Sequence, residues 1–326
     1  MPSIQEFPFS AFVVDAAFLG DTAVYALGDG TVRRASGPAA EETRVHDGAI
    51  LAAAPTLDGK RLITGGDDGL VASVDADGTV TKLAERPRKW IDHVAAGPAG
   101  TVGFASGRQA FVRFTDGRER TFDHARAVGG IAFAPKGLRL AVARYEGVTL
   151  WWAGTEAEPA QFAWKGAHIG VAFSPDGRNL VTVMQENALH GWRLDDGRDM
   201  RMTGYPAKPR SLSWSVKGRF LASSGANAAI LWPFHYKDGP MGRQPLQLGA
   251  REELVTRVAC HPTEELVAVG YRDGMVLAVR FADQEEALLR RPGGGAVSAL
   301  AWDARGTRLA FGTEEGAAGI VDLTAG

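Results

Sequence analysis

The sequence predicts an all-β protein built from one unit that recurs along almost the whole chain. Residues 169–192 show this unit most clearly, because Ile169, Val171 and Phe173 alternate as they do in a pleated strand. The turn sequence Ser-Pro-Asp-Gly follows, then a β-rich run, and then a third run that ends on Trp192. A single meander of short strands is not independently stable. We therefore expect the unit to pack against copies of itself.

The repeat can be counted from the turn residue after the first strand and the residue that closes the third strand. In the unit above these are Gly177 and Trp192, which are 15 residues apart. The same interval recurs in five other units, and an interval of 14 recurs in two more. Successive turns are 37 to 46 residues apart, and a period near 40 is typical of a β-propeller with four short strands per unit. The eight turn residues are Gly20, Gly59, Gly100, Gly137, Gly177, Gly218, Glu264 and Gly306.

These counts predict an eight-bladed β-propeller of four-stranded antiparallel blades, forming one domain over residues 1–326. Seven blades is the alternative, which would hold if the first or the third unit, both weak in pattern, formed no blade. The last unit stops after its third strand, so we expect residues 3–12 to supply a fourth strand and to close the ring. Phe7 and Phe9 alternate in the way that such a strand requires.

Several turn and strand segments share a degenerate pattern. The turn segments are FSPDGRNL at 173–180, FAPKGLRL at 133–140 and WDARGTRL at 302–309, and the closing strands include DGLVASVD at 68–75, EGVTLWW at 146–152 and ANAAILW at 226–232. Over nearly all of the chain this pattern resembles that of the WD-repeat β-propellers. The Trp-Asp pair of that family stands here as Val74-Asp75 and Val321-Asp322. The resemblance implies a platform for protein assembly.

Composition limits the partners and the compartment. The net charge of −2 gives no general attraction to nucleic acid or to an anionic membrane, so we expect neither as a partner. The one cysteine excludes an internal disulfide framework. The start of the chain lacks a basic region before an apolar core, and no run of 18 apolar residues occurs. Together these features predict a cytoplasmic protein, and the richness in Ala, Gly and Arg suggests a bacterial source.

Motifs that carry catalysis are missing from the sequence. It has no Gly-x-Ser-x-Gly elbow, no phosphate-binding loop, no HExxH and no CxxC pair. Cys260 and His261 are adjacent, but neighbouring residues of a strand point to opposite faces, which favours a structural cysteine over a nucleophile or a metal ligand. His46, His124 and His168 precede first strands, where the WD-repeat resemblance implies a structural histidine. We predict no enzyme activity, no cofactor and no metal site.

The loops of one predicted rim are rich in Arg, Trp and Tyr, which are the residues that dominate binding hot spots. We therefore expect this rim to bind partner proteins through an acidic or mixed-charge segment, the alternative being that its charges are merely solvated. The connection 234–253 is the one long excursion from the repeat, and it is either a partner contact or a tolerated insertion. The candidate partner-binding residues are Arg88, Lys89, Trp90, Arg144, Tyr145, Tyr205, Arg210, Arg257, Tyr271 and Arg272.

The central channel offers an alternative function. Polar residues fall at the predicted starts of inner strands, where they would converge on a small ligand, a metal ion or a substrate. These residues are Asp15, Asp92, His93, Arg210 and Arg257. A zinc site would need three or four converging ligands, and the sequence shows no such cluster.

Overall fold

The computed structural model describes residues 3–324, and within this range the regular structure is thirty strands and one short 3₁₀ helix at Pro98–Gly100. The first strands are β1 (Ser3–Pro8), β2 (Val13–Leu19), β3 (Thr22–Leu27), β4 (Thr31–Ala35), β5 (Ala40–Arg44), β6 (Ile50–Pro55), β7 (Arg61–Gly66), β8 (Leu70–Asp75), β9 (Val80–Glu85), β10 (His93–Ala96), β11 (Val102–Ser106), β12 (Gln109–Arg113), β13 (Glu119–Asp123), β14 (Val128–Phe133) and β15 (Arg139–Trp152). The others are β16 (Ala160–Phe173), β17 (Asn179–Met184), β18 (Ala188–Arg193), β19 (Asp199–Met202), β20 (Leu212–Trp214), β21 (Phe220–Ser223), β22 (Ala229–Pro233), β23 (Leu246–Leu248), β24 (Val255–Cys260), β25 (Leu266–Tyr271), β26 (Val276–Arg280), β27 (Glu286–Arg290), β28 (Val297–Trp302), β29 (Arg308–Thr313) and β30 (Ala317–Asp322).

The strands fall into two compact units, each with its own sheets. The first unit takes residues 3–45, 76–78 and 205–324, and it holds the sheets β2–β5, β20–β23, β24–β27 and β1-β30-β29-β28. In the last of these, β1 pairs antiparallel with β30 from Ser3 opposite Asp322 to Pro8 opposite Ala317. The predicted fourth strand from the start of the chain is thus confirmed. The prediction of one domain over the whole chain stays a prediction.

The second unit takes residues 46–75 and 79–204, and it corrects the predicted blade number. It holds the four-stranded sheets β6–β9 and β10–β13 and one six-stranded sheet, β14–β19. The described residues therefore form seven sheets, as the seven-blade alternative has it, and the prediction of eight separate blades was wrong. The reason offered for seven was also wrong, because the first and third repeats both form sheets, β2–β5 and β10–β13.

The fourth and fifth repeats form one sheet because β15 and β16 are long, with 14 residues each. β15 pairs with β14 up to Arg144 and with β16 from Tyr145, with a bulge between Tyr145 and Gly147. β16 in turn pairs with β17 from His168 onwards. All eight predicted turn residues do connect paired antiparallel strands. The fourth and fifth repeats share a sheet because bulges bend the two strands where the sequence suggested that they end.

The repeated turn is held by a small set of side-chain hydrogen bonds. Ser174 Oγ donates to Asp176 Oδ1 at 2.6 Å and accepts from the Asn179 backbone N–H at 2.9 Å. Gly177 takes the left-handed backbone conformation that closes the turn, with φ of 73°. The Ser-Pro-Asp-Gly sequence thus forms the predicted turn for a local chemical reason.

The core of each unit lies between the apolar faces of neighbouring sheets. In the first unit, Val276 and Leu289 pack with Val297 and Phe311 of the next sheet. In the second unit, Ile63 and Val71 pack with Phe104. Each sheet thus covers the face that its neighbour cannot bury alone. The described strands form an all-β propeller of seven antiparallel blades, of which six are four-stranded and one, β14–β19, is six-stranded. No helix among residues 3–324 is long and apolar enough to cross a membrane.

Candidate interaction site

A groove of about 820 Å³ opens on the second unit, between the connections that leave β9, β11 and β13. Its volume lies in the range of roughly 300–1,000 Å³ that is usual for binding pockets. We call it the basic groove. It is lined by Arg88, Lys89, Trp90, Asp92, Ser106, Gly107, Arg108, Gln109, Asp123 and His124. Three of these, Arg88, Lys89 and Trp90, are candidate partner-binding residues predicted from the sequence.

The segment that carries Trp90 is anchored on both sides. Before it, the Arg86 guanidinium lies 4.3 Å from the centre of the Phe111 ring and pairs with Glu119. After it, Ile91 is fully buried, and its N–H donates to the Gly66 carbonyl. Between these anchors the Trp90 side chain is 66% exposed. A large aromatic side chain is thus held outward on a fixed backbone, which is the arrangement of a preorganised contact.

The backbone of this segment requires a glycine on the neighbouring turn. The Arg86 N–H donates to the Gly69 carbonyl at 2.8 Å, and Gly69 has a φ of 84°. A Cβ placed on Gly69 would lie only 2.1 Å from the Arg86 carbonyl oxygen. The Asp-Gly turn that the sequence places in the second repeat therefore positions the groove segment, in addition to joining β7 and β8.

The charge around the groove is mixed, with an excess of cations. Arg88, Lys89 and Arg108 face two carboxylates, Asp92 and Asp123. Asp123 accepts a hydrogen bond from Gln109 Nε2 at 2.9 Å. Among the described residues none of the three cations forms an ion pair. Their charges are therefore available to an incoming anionic group.

His124 forms one side of the groove and remains neutral at physiological pH. Its ring meets the Trp151 ring edge-on, with centroids 5.9 Å apart. Burial, reinforced by the nearby Arg144 charge, lowers the pKa of His124 to about 4. Its Nε2 is buried and has no hydrogen-bond partner among residues 3–324. The sequence predicted a structural histidine here and placed Asp92 at the central channel. Arg108, Gln109 and Asp123 were not predicted as site residues, because only strand pairing brings them beside Trp90.

Arg144 and Tyr145 lie on the same unit but make a different surface. The Arg144 guanidinium is fixed by hydrogen bonds to Gln161 Oε1 at 2.7 Å and to Thr149 Oγ1 at 3.1 Å. Tyr145 is 48% exposed beside the bulge of β15. Neither residue lines the basic groove. Their part in partner binding stays a prediction.

Two tyrosines of the predicted interaction surface are buried in the first unit. The Tyr205 hydroxyl lies 2.6 Å from Ser223 Oγ and accepts the Trp232 indole N–H at 2.6 Å. The Tyr271 hydroxyl donates to the Gly249 carbonyl, and its side chain has no exposed surface. Buried rings cannot contact a partner, so placing Tyr205 and Tyr271 at an exposed site was wrong.

The arginines of the first unit differ in exposure. Arg257 is partly buried, where its Nη1 donates to the Arg210 carbonyl at 3.2 Å and its Nε donates to the Ser298 carbonyl. The Arg210 side chain is 62% exposed, 3.8 Å from Glu314. Arg272 is exposed at the turn after β25. Arg257 is therefore held by backbone carbonyls, whereas the side chains of Arg210 and Arg272 can reach a partner.

The sequence predicted Asp15 at a channel with Arg210 and Arg257. In the first unit, the charges of Asp15 and Arg210 both act on the pKa of Arg257. Burial raises the pKa of Asp15 to about 6, against the opposing effects of the Ala16 N–H and the Arg257 charge. Burial also lowers the pKa of Arg257, which Asp15 partly offsets. In the second unit, burial lowers the pKa of His93, while the neighbouring Asp92 acts in the opposite direction. No reacting arrangement follows from these contacts.

His46, His261 and Cys260 have structural roles. His46 Nδ1 donates to Asp68 Oδ1 at 2.9 Å, and its Nε2 lies 2.8 Å from Thr64 Oγ1. His261 Nε2 donates to the Gly306 carbonyl at 2.8 Å. Burial raises the pKa of Cys260 to about 12, so its thiol stays protonated. Within residues 3–324, no three His, Cys, Asp or Glu side chains cluster as metal ligands would.

The long excursion after β22 presents a second aromatic surface, on the first unit. The Tyr236 side chain is 43% exposed, with the His235 ring centroid 4.2 Å away and the Arg243 guanidinium 4.2 Å from its ring centre. The excursion thus stacks onto itself.

Comparison with known proteins shows sequence similarity to WD-repeat proteins. The sequence model of the anaphase-promoting complex subunit 4 WD40 domain matches residues 258–326. WD repeat-containing protein 55 of Pongo abelii is 27% identical over 195 residues, which is 57% of this chain and 50% of that protein. The chain is thus similar to proteins of the WD-repeat type over these regions. The proteins of the same name from Rattus norvegicus and Homo sapiens are each 26% identical over 195 residues, with the same coverage.

The fold of the chain is also similar to that of a solved structure over nearly its whole length. The crystal structure of the computationally designed Ika8 protein superposes with a TM-score of 0.75 at 18% identity, covering 96% of each chain. At that identity the match speaks for the fold alone. The chain spans about half the length of the curated relatives that it matches.

Proposed function

We propose that this WD-repeat propeller is a non-enzymatic interaction scaffold whose basic groove binds an acidic or mixed-charge segment of a partner protein. The observation that carries the proposal is the exposed Trp90 on an anchored segment, flanked by Arg88, Lys89 and Arg108 without ion pairs among the described residues. The relatives named for their WD repeats support a binding role over a catalytic one. The cytoplasmic location remains a prediction from the sequence.

In this proposal the Trp90 indole supplies apolar contact area, and the cations supply electrostatic selectivity. An aromatic side chain gives a large contact area at a low entropic cost, and Trp and Arg are enriched at binding hot spots. The cations select for carboxylates and speed the encounter, an effect that falls with ionic strength. Asp92 and Asp123 repel a carboxylate placed next to them, so a segment whose acidic residues are interrupted by other residues fits better than a continuous polyanion.

The first test uses fluorescence anisotropy with two labelled ten-residue peptides, one with alternating Glu and apolar residues and one with Gln in place of Glu. The Glu peptide should bind more tightly, and the preference should shrink as salt rises. A groove variant carrying Arg88→Glu, Lys89→Glu and Trp90→Ala should lose roughly tenfold or more in affinity, because truncating one hot-spot residue alone costs about 2 kcal/mol.

A matched control separates the groove from net charge. The variant with Arg118→Glu, Arg178→Glu and Trp152→Ala makes the same charge change at exposed arginines of the same unit, and it also removes an indole that is 36% exposed. It should bind the Glu peptide like the native protein. Equal losses of affinity in the two variants, or equal affinity of the native protein for both peptides, would show that the basic groove is not the binding site.

A further inference from the structure

A second, smaller cavity lies between two neighbouring sheets of the same unit, away from the basic groove. It has a volume of about 170 Å³ and lies between the β6–β9 sheet and the β10–β13 sheet. This volume is below the roughly 300 Å³ at which pockets for drug-sized ligands begin, so the cavity suits an ion or a single small group. We call it the Arg61–Arg113 cavity.

The polar groups of this cavity are almost all donors. Arg61 and Arg113 line it from the two sheets, and no Asp or Glu lines it. Thr56 also lines it, but its hydroxyl is already committed to Asp58 Oδ1 at 2.6 Å. Arg113 Nη1 already donates to the Gly117 carbonyl at 3.2 Å. The free donor capacity is therefore that of Arg61 and the other N–H groups of Arg113, together with the hydroxyls of Ser73 and Thr115.

Ser73 is the unusual member of this set. It is 1% exposed, and its Oγ is buried with no hydrogen-bond partner among residues 3–324. An unpaired buried hydroxyl costs roughly 1–3 kcal/mol, so such groups usually have a partner. Since Ser73 lines the cavity, a molecule within the cavity is the natural partner.

The charge around the cavity is not balanced by the protein. Arg113 lies 3.5 Å from Glu119 Oε1, but Glu119 also pairs with Arg86. Arg61 has no ion pair with a described residue, although its charge acts on the fully exposed Asp58. Arg86 and Arg113 thus share the Glu119 carboxylate while Arg61 is left without an ion pair, and an anion in the cavity would relieve the excess positive charge.

We propose that the Arg61–Arg113 cavity binds a small oxyanion of the phosphate type. The two guanidinium groups would supply the charge-assisted donors, and the Ser73 hydroxyl would supply the buried neutral donor. Planar guanidinium groups match the oxygens of phosphate in pairs, which favours this ligand class over a halide. The site shares no residue with the basic groove, so this inference stands or falls separately from the proposed scaffold function.

The test is titration of the whole protein with inorganic phosphate at constant ionic strength, followed by isothermal calorimetry and by ³¹P line width. The native protein should bind one phosphate per chain, and sulfate should compete. Replacing both arginines, Arg61→Gln with Arg113→Gln, should raise the Kd roughly tenfold or more, because a hydrogen bond to a charged group contributes about 1.5–3 kcal/mol. The same charge loss in Arg118→Gln with Arg178→Gln should leave the Kd unchanged.

Ser73→Ala distinguishes a bound anion from water or an empty cavity. If the hydroxyl binds phosphate, the variant should bind several-fold more weakly while keeping its thermal midpoint without phosphate. If water alone occupies the cavity, Ser73→Ala leaves phosphate affinity unchanged, and the proposal fails. The proposal also fails if phosphate does not bind to the native protein. It fails as well if phosphate binds equally to the double variant Arg61→Gln with Arg113→Gln, once circular dichroism has shown that this variant is folded. A phosphoserine peptide that competes only with its phosphate attached would identify a tethered phosphate as the source, whereas no competition would identify the free ion.

Discussion

Replacing Phe7 by Ala tests whether the amino-terminal strand β1 is packed in the way that the fold requires. The Phe7 side chain is 4% exposed and stacks on Phe9 with ring centroids 5.9 Å apart, while the Tyr25 ring lies at 6.4 Å. It belongs to the same apolar cluster as Tyr25 and Ile320. An aromatic side chain buries about 150 Å² or more, and at about 25 cal/mol per Å² this corresponds to roughly 4 kcal/mol. We expect Phe7→Ala to lower the free energy of unfolding by about 3–5 kcal/mol.

Ile4 on the same strand provides the internal control, because its side chain is 43% exposed. Ile4→Ala should change the free energy of unfolding by about 0.5 kcal/mol or less. Urea unfolding followed by circular dichroism measures both variants, and hydrogen exchange of the β30 amides should accelerate in Phe7→Ala alone. A loss for Phe7→Ala no larger than that for Ile4→Ala would refute the packing of β1 against β30.

Three further predictions concern buried polar groups. Tyr205→Phe leaves the buried Trp232 N–H without its acceptor. Urea unfolding should therefore show a free energy of unfolding lower by about 1–3 kcal/mol, while peptide binding is unchanged. Reduced peptide binding at full stability would instead assign Tyr205 to the interaction surface. Burial raises the pKa of Asp15 from 3.8 to about 6, so this carboxyl ionises at a lower pH in the unfolded chain than in the folded chain. The free energy of unfolding should therefore fall by up to about 3 kcal/mol as the pH rises from about 4 to 6. The urea midpoints of Asp15→Asn should lack this fall, and a pH profile identical to that of the native protein would contradict the prediction. Cys260, whose pKa burial raises to about 12, should react with a disulfide reagent at pH 8 only after unfolding, and rapid reaction in the native protein would exclude the structural interpretation.

The repeat could be predicted from sequence because its signals are local. Alternating apolar residues and a Ser-Pro-Asp-Gly turn act within one meander, and the structure places all eight turn residues between paired strands. The merging of the fourth and fifth repeats could not be predicted in this way. Glu146 and Gly147 read as a turn, but they form a bulge through which β15 continues.

The candidate site was predictable only in part, for a related reason. The basic segment ending in Trp90 stands out in sequence, and its aromatic side chain is indeed exposed. The residues opposite it, Arg108 and His124, lie in the connections after β11 and β13, which only sheet pairing brings near. Tyr205 and Tyr271 were misplaced because a tyrosine at the end of a loop or strand has the same sequence signal whether its hydroxyl reaches solvent or a buried partner.

The most direct measurement of the central claim is site-specific photocrosslinking from position 90 in the native cell extract. A benzophenone amino acid replaces Trp90 in one sample, the exposed Tyr236 in a second and the partly exposed Trp152 in a third. Mass spectrometry then identifies the crosslinked peptide. We predict that position 90 alone captures a partner, through a segment rich in Asp and Glu, and that charge reversal at Arg88 and Lys89 abolishes the crosslink. Capture from position 236 or 152 without capture from position 90, or capture of segments without acidic residues, would contradict the account.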